Sequence, residues 1–129
     1  MTLPVGYFPC TQDPPHGKNV ANLIDELVEQ AVLCEEVGFD GFYFTEHHQQ
    51  DDGYLPSPVL MSGMIGRSTK RIKVGTCVLL SPLYHPIRLA EDIAVVDQAT
   101  RGRMVAAMGI GYQPADFDAF GVSIKERAR

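Results

Sequence analysis

Apolar positions along this chain follow two alternating rhythms, short continuous runs and stretches spaced by three and four residues. The first run, Pro4 to Phe8, predicts a brief strand, and the Pro- and Gly-rich segment from Pro9 to Lys18 predicts a loop. Val20, Leu23, Ile24, Leu27, Val28, Ala31, Cys34 and Val37 then recur at helical spacing, with Asp25, Glu26, Glu29, Glu35 and Glu36 on the other side, which predicts one amphipathic helix. Gly38 ends it, because glycine adopts the left-handed cap without a Cβ penalty. A second strand covers Phe39 to Phe44. Ser57-Pro58 suits an N-cap followed by proline in a first helical turn, and that helix runs to about Arg67. From Ile72 to Leu80 the chain is nearly all apolar or β-branched, with no polar alternation after Val74, as expected of a strand buried on both faces. Pro86 opens a third helix with Leu89, Ala90, Ile93, Ala94 and Val96 as its inner side; Gly102 closes it, and Met104 to Gly109 forms a fourth strand. Tyr112-Gln113-Pro114 reads as a poor helix start, and the last seven residues, from Ser123, read as the beginning of a fourth helix.

Strands alternating with helices imply βαβ units, right-handed crossovers and a parallel sheet. The 129 residues suffice for one domain, 1–129. A closed (β/α)8 TIM barrel needs about 250 residues. Four parallel strands with three helices therefore make either the amino-terminal half of such a barrel or a small open α/β sheet. The composition, 45% hydrophobic and 21% charged, is ordinary for a globular domain, and a net charge of −5 gives no electrostatic reason to expect nucleic acid or an anionic membrane as partner. No basic-then-apolar leader and no run of membrane-spanning length occurs. Three scattered cysteines, Cys10, Cys34 and Cys77, fit reduced thiols in a cytoplasmic protein.

The chemistry lies at the strand ends. Thr45-Glu46-His47-His48 follows the second strand and His85 follows the third, where parallel α/β proteins carry their active sites. Adjacent residues on a strand point to opposite faces, which disfavours His47 and His48 as ligands of one metal ion. They are either hydrogen-bonded structural histidines or, near neutrality, groups that move a proton. His85 either closes a pocket rim or simply opens the Pro86 helix. Asp97 and Arg103 flank a tight turn and could pair across it. Gly109-Ile110-Gly111 lacks the third glycine of a dinucleotide fingerprint; these glycines would let a planar ring or a neighbouring loop approach the backbone. Cys77 is either buried strand filler or a lining residue.

Six ordered blocks carry a family resemblance: Gly38-Phe39-Asp40-Gly41, Glu46-His47-His48, Thr69 to Thr76, His85 to Asp92, Asp97 to Arg103, and Phe120-Gly121. Together they resemble the amino-terminal part of the bacterial luciferase-like monooxygenases, flavin-dependent (β/α)8 enzymes. The resemblance implies reduced flavin (FMN) as cofactor, molecular oxygen, a small organic substrate, and a flavin reductase as a candidate partner. It makes His47 the catalytic histidine and leaves His48 a structural role. It places the flavin ring against Glu46, Thr76, Cys77, Val78 and Gly109, with a cis peptide between Cys77 and Val78. Where some relatives carry an arginine for the flavin phosphate, this chain has Ile110. Relatives dimerise through helices of the Met61–Gly66 region, where Ser62, Gly63 and Gly66 would admit another helix, so a homo-oligomer is expected. Two other readings remain open, a non-catalytic self-associating half-barrel and a deazaflavin-dependent hydride-transfer enzyme.

Overall fold

The computed structural model describes residues 3–128. The chain runs β1 (Gly6–Tyr7), α1 (Val20–Val37), β2 (Gly41–Phe44), α2 (Pro58–Ser68), β3 (Lys73–Leu80), α3 (Pro86–Thr100), β4 (Met104–Gly109) and α4 (Pro114–Phe120), with single 3-10 turns at Ser81–Leu83 and Ile124–Glu126. The strands form one sheet in the order β1-β2-β3-β4, and every neighbouring pair is parallel. This is the α/β arrangement of consecutive βαβ units. No helix among the described residues is long and apolar enough to cross a membrane.

Two-residue alternation decides which side of the sheet each side chain serves. Phe42 and Phe44 of β2, with Val74 of β3, face the helices and pack with Leu27, Ala31 and Cys34 of α1 and Met61 and Ile65 of α2. A second cluster joins Val59, Leu79 and Leu89 to Ile93, Val96 and Met104, seating α3 on β3 and β4. Tyr43, Cys77, Val105 and Ala107 fall on the opposite face and line a shallow hollow with Gly6 and Phe8. β3 is buried on both faces over residues 74–76, whereas Cys77 is half-buried and Val78 exposed.

Two polar clasps close the edge of the sheet where its strands begin. Glu35, at the end of α1, accepts the backbone N–H groups of Lys70, Arg71 and Ile72 at 2.5–3.1 Å, satisfying the turn into β3. Burial alone would raise its pKa, but those three donors outweigh it and hold the carboxyl below its ordinary range. Arg103 donates to the carbonyls of Gly66 (2.5 Å), Ile72 (2.8 Å), Thr69 (3.1 Å) and Thr100 (2.8 Å), tying the ends of α2 and α3 to the start of β3. It therefore does not pair with Asp97, as the sequence suggested. Three carbonyls at helix ends and one before β3 match the guanidinium fork, and Asp97 instead accepts the backbone N–H of Met104 at 3.3 Å.

Three further expectations change. The described residues form four α-helices, not three, because Pro114 opens α4 with Gln113 extended before it, and Gly121 closes it at φ 66. Proline in the first turn is the same signal that opens α2 and α3. The segment from Ser123, expected to begin a helix, makes only the turn Ile124–Glu126. The small residues of α2 admit a helix of the same chain rather than a partner's: a Cβ on Gly66 would lie 2.1 Å from Thr100 Cγ2, and one on Gly63 would lie 3.4 Å from Val96 Cγ2.

Glu35→Gln should cost about 1–2 kcal/mol at pH 7, the scale of charged hydrogen bonds discounted for partial exposure. A depressed folded-state pKa means that the contribution is present above the unfolded value of about 4.3 and lost as pH falls through the lower folded value. Urea unfolding of wild type and variant should therefore diverge at pH 7 and draw together as pH falls below about 4.3; a gap independent of pH would contradict the clasp. Gly66→Ala should cost about 1–3 kcal/mol through overpacking. Adding Thr100→Ser, which removes the opposing methyl, should recover most of that loss in thermal melts.

Candidate active site

A parallel sheet brings the carboxyl ends of all its strands to one edge, and here β2 and β3 deliver their polar residues to the same place. Glu46 is 2% exposed and fully supplied with donors. Its Oε1 accepts His48 Nε2 at 2.9 Å and the Tyr84 hydroxyl at 2.5 Å, and its Oε2 accepts the Leu80 N–H at 2.6 Å. One carboxylate thus joins the end of β2, the end of β3 and the turn leading to α3. Burial, and next the carboxylate it donates to, push the Tyr84 hydroxyl far above the ordinary tyrosine pKa.

A second carboxylate arrives from α4. Asp116 is fully buried; its Oδ1 accepts the backbone N–H of His48 at 2.8 Å and its Oδ2 lies 3.0 Å from His47 Nδ1. Phe117, beside it, is buried among Leu80, Leu83, Val122 and Ile124, which docks α4 over the end of β3. The turn before α4 passes through Gly111 at φ 72, where Phe117 lies too close for any Cβ. His47 and His48 consequently bond different carboxylates. His48 is buried, with its ring edge-on to Phe120 at 4.7 Å. His47 keeps 19% of its side chain exposed and stands between the rings of Tyr54 and Tyr112, at 5.0 and 5.8 Å.

His47 lines an open recess of about 360 Å³. One side carries Thr45, Glu46, His47 and Tyr54; the other is an apolar wall of Cys77, Val78, Leu80, Gly109 and Ile110. The wall has a local irregularity. Cys77 pairs with Ala107 and Leu79 with Met108, so Val78 is an extra residue bulged from β3. The Cys77–Val78 peptide is cis, as the resemblance implied. Gly109 makes room for the bulge, since a Cβ there would lie 2.6 Å from Val78 Cγ2.

Glu46, His47, Cys77, Val78 and Gly109 are therefore gathered around one recess. Thr76 is not among its lining residues: it is fully buried, and its hydroxyl donates to the Ala107 carbonyl at 3.0 Å, linking β3 to β4 from behind the wall. His85 also stays out of the recess and opens α3, its carbonyl accepting the Leu89 N–H at 3.0 Å. Sequence reasoning missed Asp116, Tyr54, Tyr84 and Tyr112; the available signal for Asp116 was its place two residues after a helix-opening proline. A flat apolar wall with proton-bearing groups along one edge suits a planar heteroaromatic ring with a reactive polar edge. Among the described residues no lysine or arginine lines the recess, so its lining offers a phosphate group no cation.

Residues 3–129 match the family described as luciferase-like monooxygenase. The chain belongs to that family. Among curated relatives it is 42% identical over 111 residues to the protein y4vJ of Sinorhizobium fredii, covering 86% of this chain and 32% of that one. It is 32% identical over 119 residues to the alkanal monooxygenase alpha chain of Photorhabdus laumondii, covering 92% and 33%. The chain thus spans about a third of the length of the curated relatives it matches. Among solved structures, the oxygenating constituent of 3,6-diketocamphane monooxygenase from Pseudomonas putida, a type II Baeyer-Villiger monooxygenase in complex with FMN, superposes with a TM-score of 0.87 at 25% identity, over 98% of this chain and 36% of that one. The coenzyme F420-dependent tetrahydromethanopterin reductase of Methanopyrus kandleri shares the fold, with a TM-score of 0.72 at 20% identity over 95% and 31%. These luciferase-like neighbours are TIM-barrel proteins, and the four strands here match the amino-terminal part of that barrel.

Phe117→Ala should cost about 3–5 kcal/mol and release α4 from the end of β3. Because the His48 N–H finds its acceptor on α4, its hydrogen exchange should accelerate in this variant relative to core amides of β3. Unchanged protection at His48 would mean that α4 is held by contacts other than Phe117.

Proposed function

We propose that this chain supplies the flavin wall and the proton-handling edge of a luciferase-like flavin-dependent monooxygenase, which oxidises a small organic substrate with molecular oxygen and reduced FMN. The observation that carries this reading is the placement of one partly exposed, carboxylate-bonded histidine on the rim of an apolar recess, in a chain that resembles an FMN-bound monooxygenase. Cys77, Val78 and Gly109 would hold the ring. Glu46 keeps the ends of β2 and β3 together behind it, and Thr76 fixes β3 to β4. When bound, reduced flavin supplies the electrons that activate oxygen. The protein's part is to orient the ring, keep water from its reactive edge and, through His47, give or take a proton there. The phosphate would be held elsewhere in the complete protein, consistent with Ile110 at the wall and with the usual barrel phosphate site after the seventh and eighth strands. A flavin reductase fits as electron donor, and the apolar Leu60, Met64, Ile87 and Val95, exposed on α2 and α3, offer a surface through which two copies could associate.

A deazaflavin would lie against the same wall, and the F420-dependent neighbour shares the fold alone. The absorption spectrum of the complete protein reconstituted with each cofactor separates the two readings, and a protein that takes up neither would favour a self-associating, non-catalytic role. In the complete protein, His47→Ala should slow oxygenation of an alkanal or a diketocamphane, the substrates named for the relatives, by about 10²–10⁴ fold while FMN remains bound. Wild-type turnover in that variant would remove the role given to His47.

A further inference from the structure

The two buried carboxylates do more than hold the strand ends, because an acceptor fixes where its partner keeps a proton. Asp116 Oδ1 receives the His48 backbone N–H, a group that can only donate, and Oδ2 lies 3.0 Å from His47 Nδ1. A carboxylate oxygen in this position is satisfied as an acceptor when the His47 Nδ1 facing it carries the hydrogen. Glu46 likewise accepts from the Leu80 N–H and the Tyr84 hydroxyl, and the imidazole nitrogen it meets on His48 is Nε2. The adjacent imidazoles thus meet their carboxylates through different nitrogens. Among the described residues His47 Nε2 has no hydrogen-bond partner, and it is the nitrogen left for the recess that His47 lines.

We infer that Asp116 is the positioning residue for His47: it locks the neutral imidazole as the Nδ1–H tautomer and presents the Nε2 lone pair to the recess as a proton acceptor, while Glu46 locks the neighbouring His48 in the opposite, Nε2–H, tautomer. This inference rests on the flavin reading only for its consequence, which is that His47 can take a proton at the ring edge through Nε2 and cannot donate one until it has done so. The geometry also determines what an isosteric change does. In Asp116→Asn the His48 N–H still requires an oxygen at the Oδ1 position, so the amide cannot rotate freely and its NH2 group must stand where Oδ2 was. That group donates to His47 Nδ1, which can accept only by moving its hydrogen to Nε2. The recess then meets a donor in place of an acceptor. His48, held by Glu46, keeps its tautomer.

The test is a long-range 15N–1H correlation spectrum of the complete protein, without flavin, at about pH 8.5, where unperturbed imidazoles are neutral. The His47 and His48 signals are assigned by their loss in His47→Gln and His48→Gln. The expected wild-type spectrum shows His47 as Nδ1–H and His48 as Nε2–H; in Asp116→Asn only His47 changes to Nε2–H, and turnover falls by about 10²–10⁴ fold with FMN still bound. Wild-type His47 in the Nε2–H form, or an unchanged His47 in folded Asp116→Asn, overturns the inference. If Asp116→Asn fails to fold, the wild-type spectrum alone decides. Because the tautomers are read without cofactor, the expected spectrum from a protein that binds no flavin would uphold this inference and defeat the flavin reading.

Discussion

A buried carboxylate must be surrounded by donors, and that requirement organises the carboxyl edge of this sheet. Glu46 gathers a backbone N–H, a tyrosine hydroxyl and an imidazole from three different elements, and Asp116 gathers a backbone N–H and a second imidazole from across the chain. Removing either acceptor would leave several buried donors unsatisfied together, each at about 1–3 kcal/mol. The strand ends, the turn before α3 and the docking of α4 therefore form one connected polar unit. His47 is its most exposed imidazole and inherits its orientation from the rest.

The opposite edge obeys the same rule with different chemistry. There Glu35 accepts from three backbone amides and Arg103 donates to four backbone carbonyls, so orphaned groups at helix ends and turns are closed by long side chains. Both edges rest on the apolar layer between sheet and helices, built from Phe42, Phe44, Ile65 and Val74. This separation leaves one edge of the sheet to stability and the other to chemistry, as barrel architectures do.

Much of this was legible from residue order, because the features that could be read were local. Helical spacing from Val20 to Val37 and the apolar run of Met104 to Gly109 fixed those elements closely, and strand-end placement predicts Glu46, His47, Cys77, His85 and Gly109 at one edge, of which all but His85 line the recess. The misses share a cause. Asp116 meets His47 from 69 residues away, and in Tyr112-Gln113-Pro114 the weak start of its helix masks the proline that opens it. The Gly66 stripe announced a close helix without saying which one; Thr100 of the same chain occupies it. Asp97 and Arg103 suggested a pair by proximity and opposite charge, yet four carbonyls bind a guanidinium fork better than one carboxylate across a turn.

The bulged Val78, the Gly109 beneath it and the carboxylate-held His47 form the wall and the edge that we propose receive a planar ring. A crystal structure of the complete protein with oxidised FMN tests this most directly. The isoalloxazine ring is expected against Val78 and Gly109, with His47 at its edge and no protein cation from residues 3–128 on its phosphate. A ring bound elsewhere, or a phosphate held by this chain's own lysines or arginines, would contradict it.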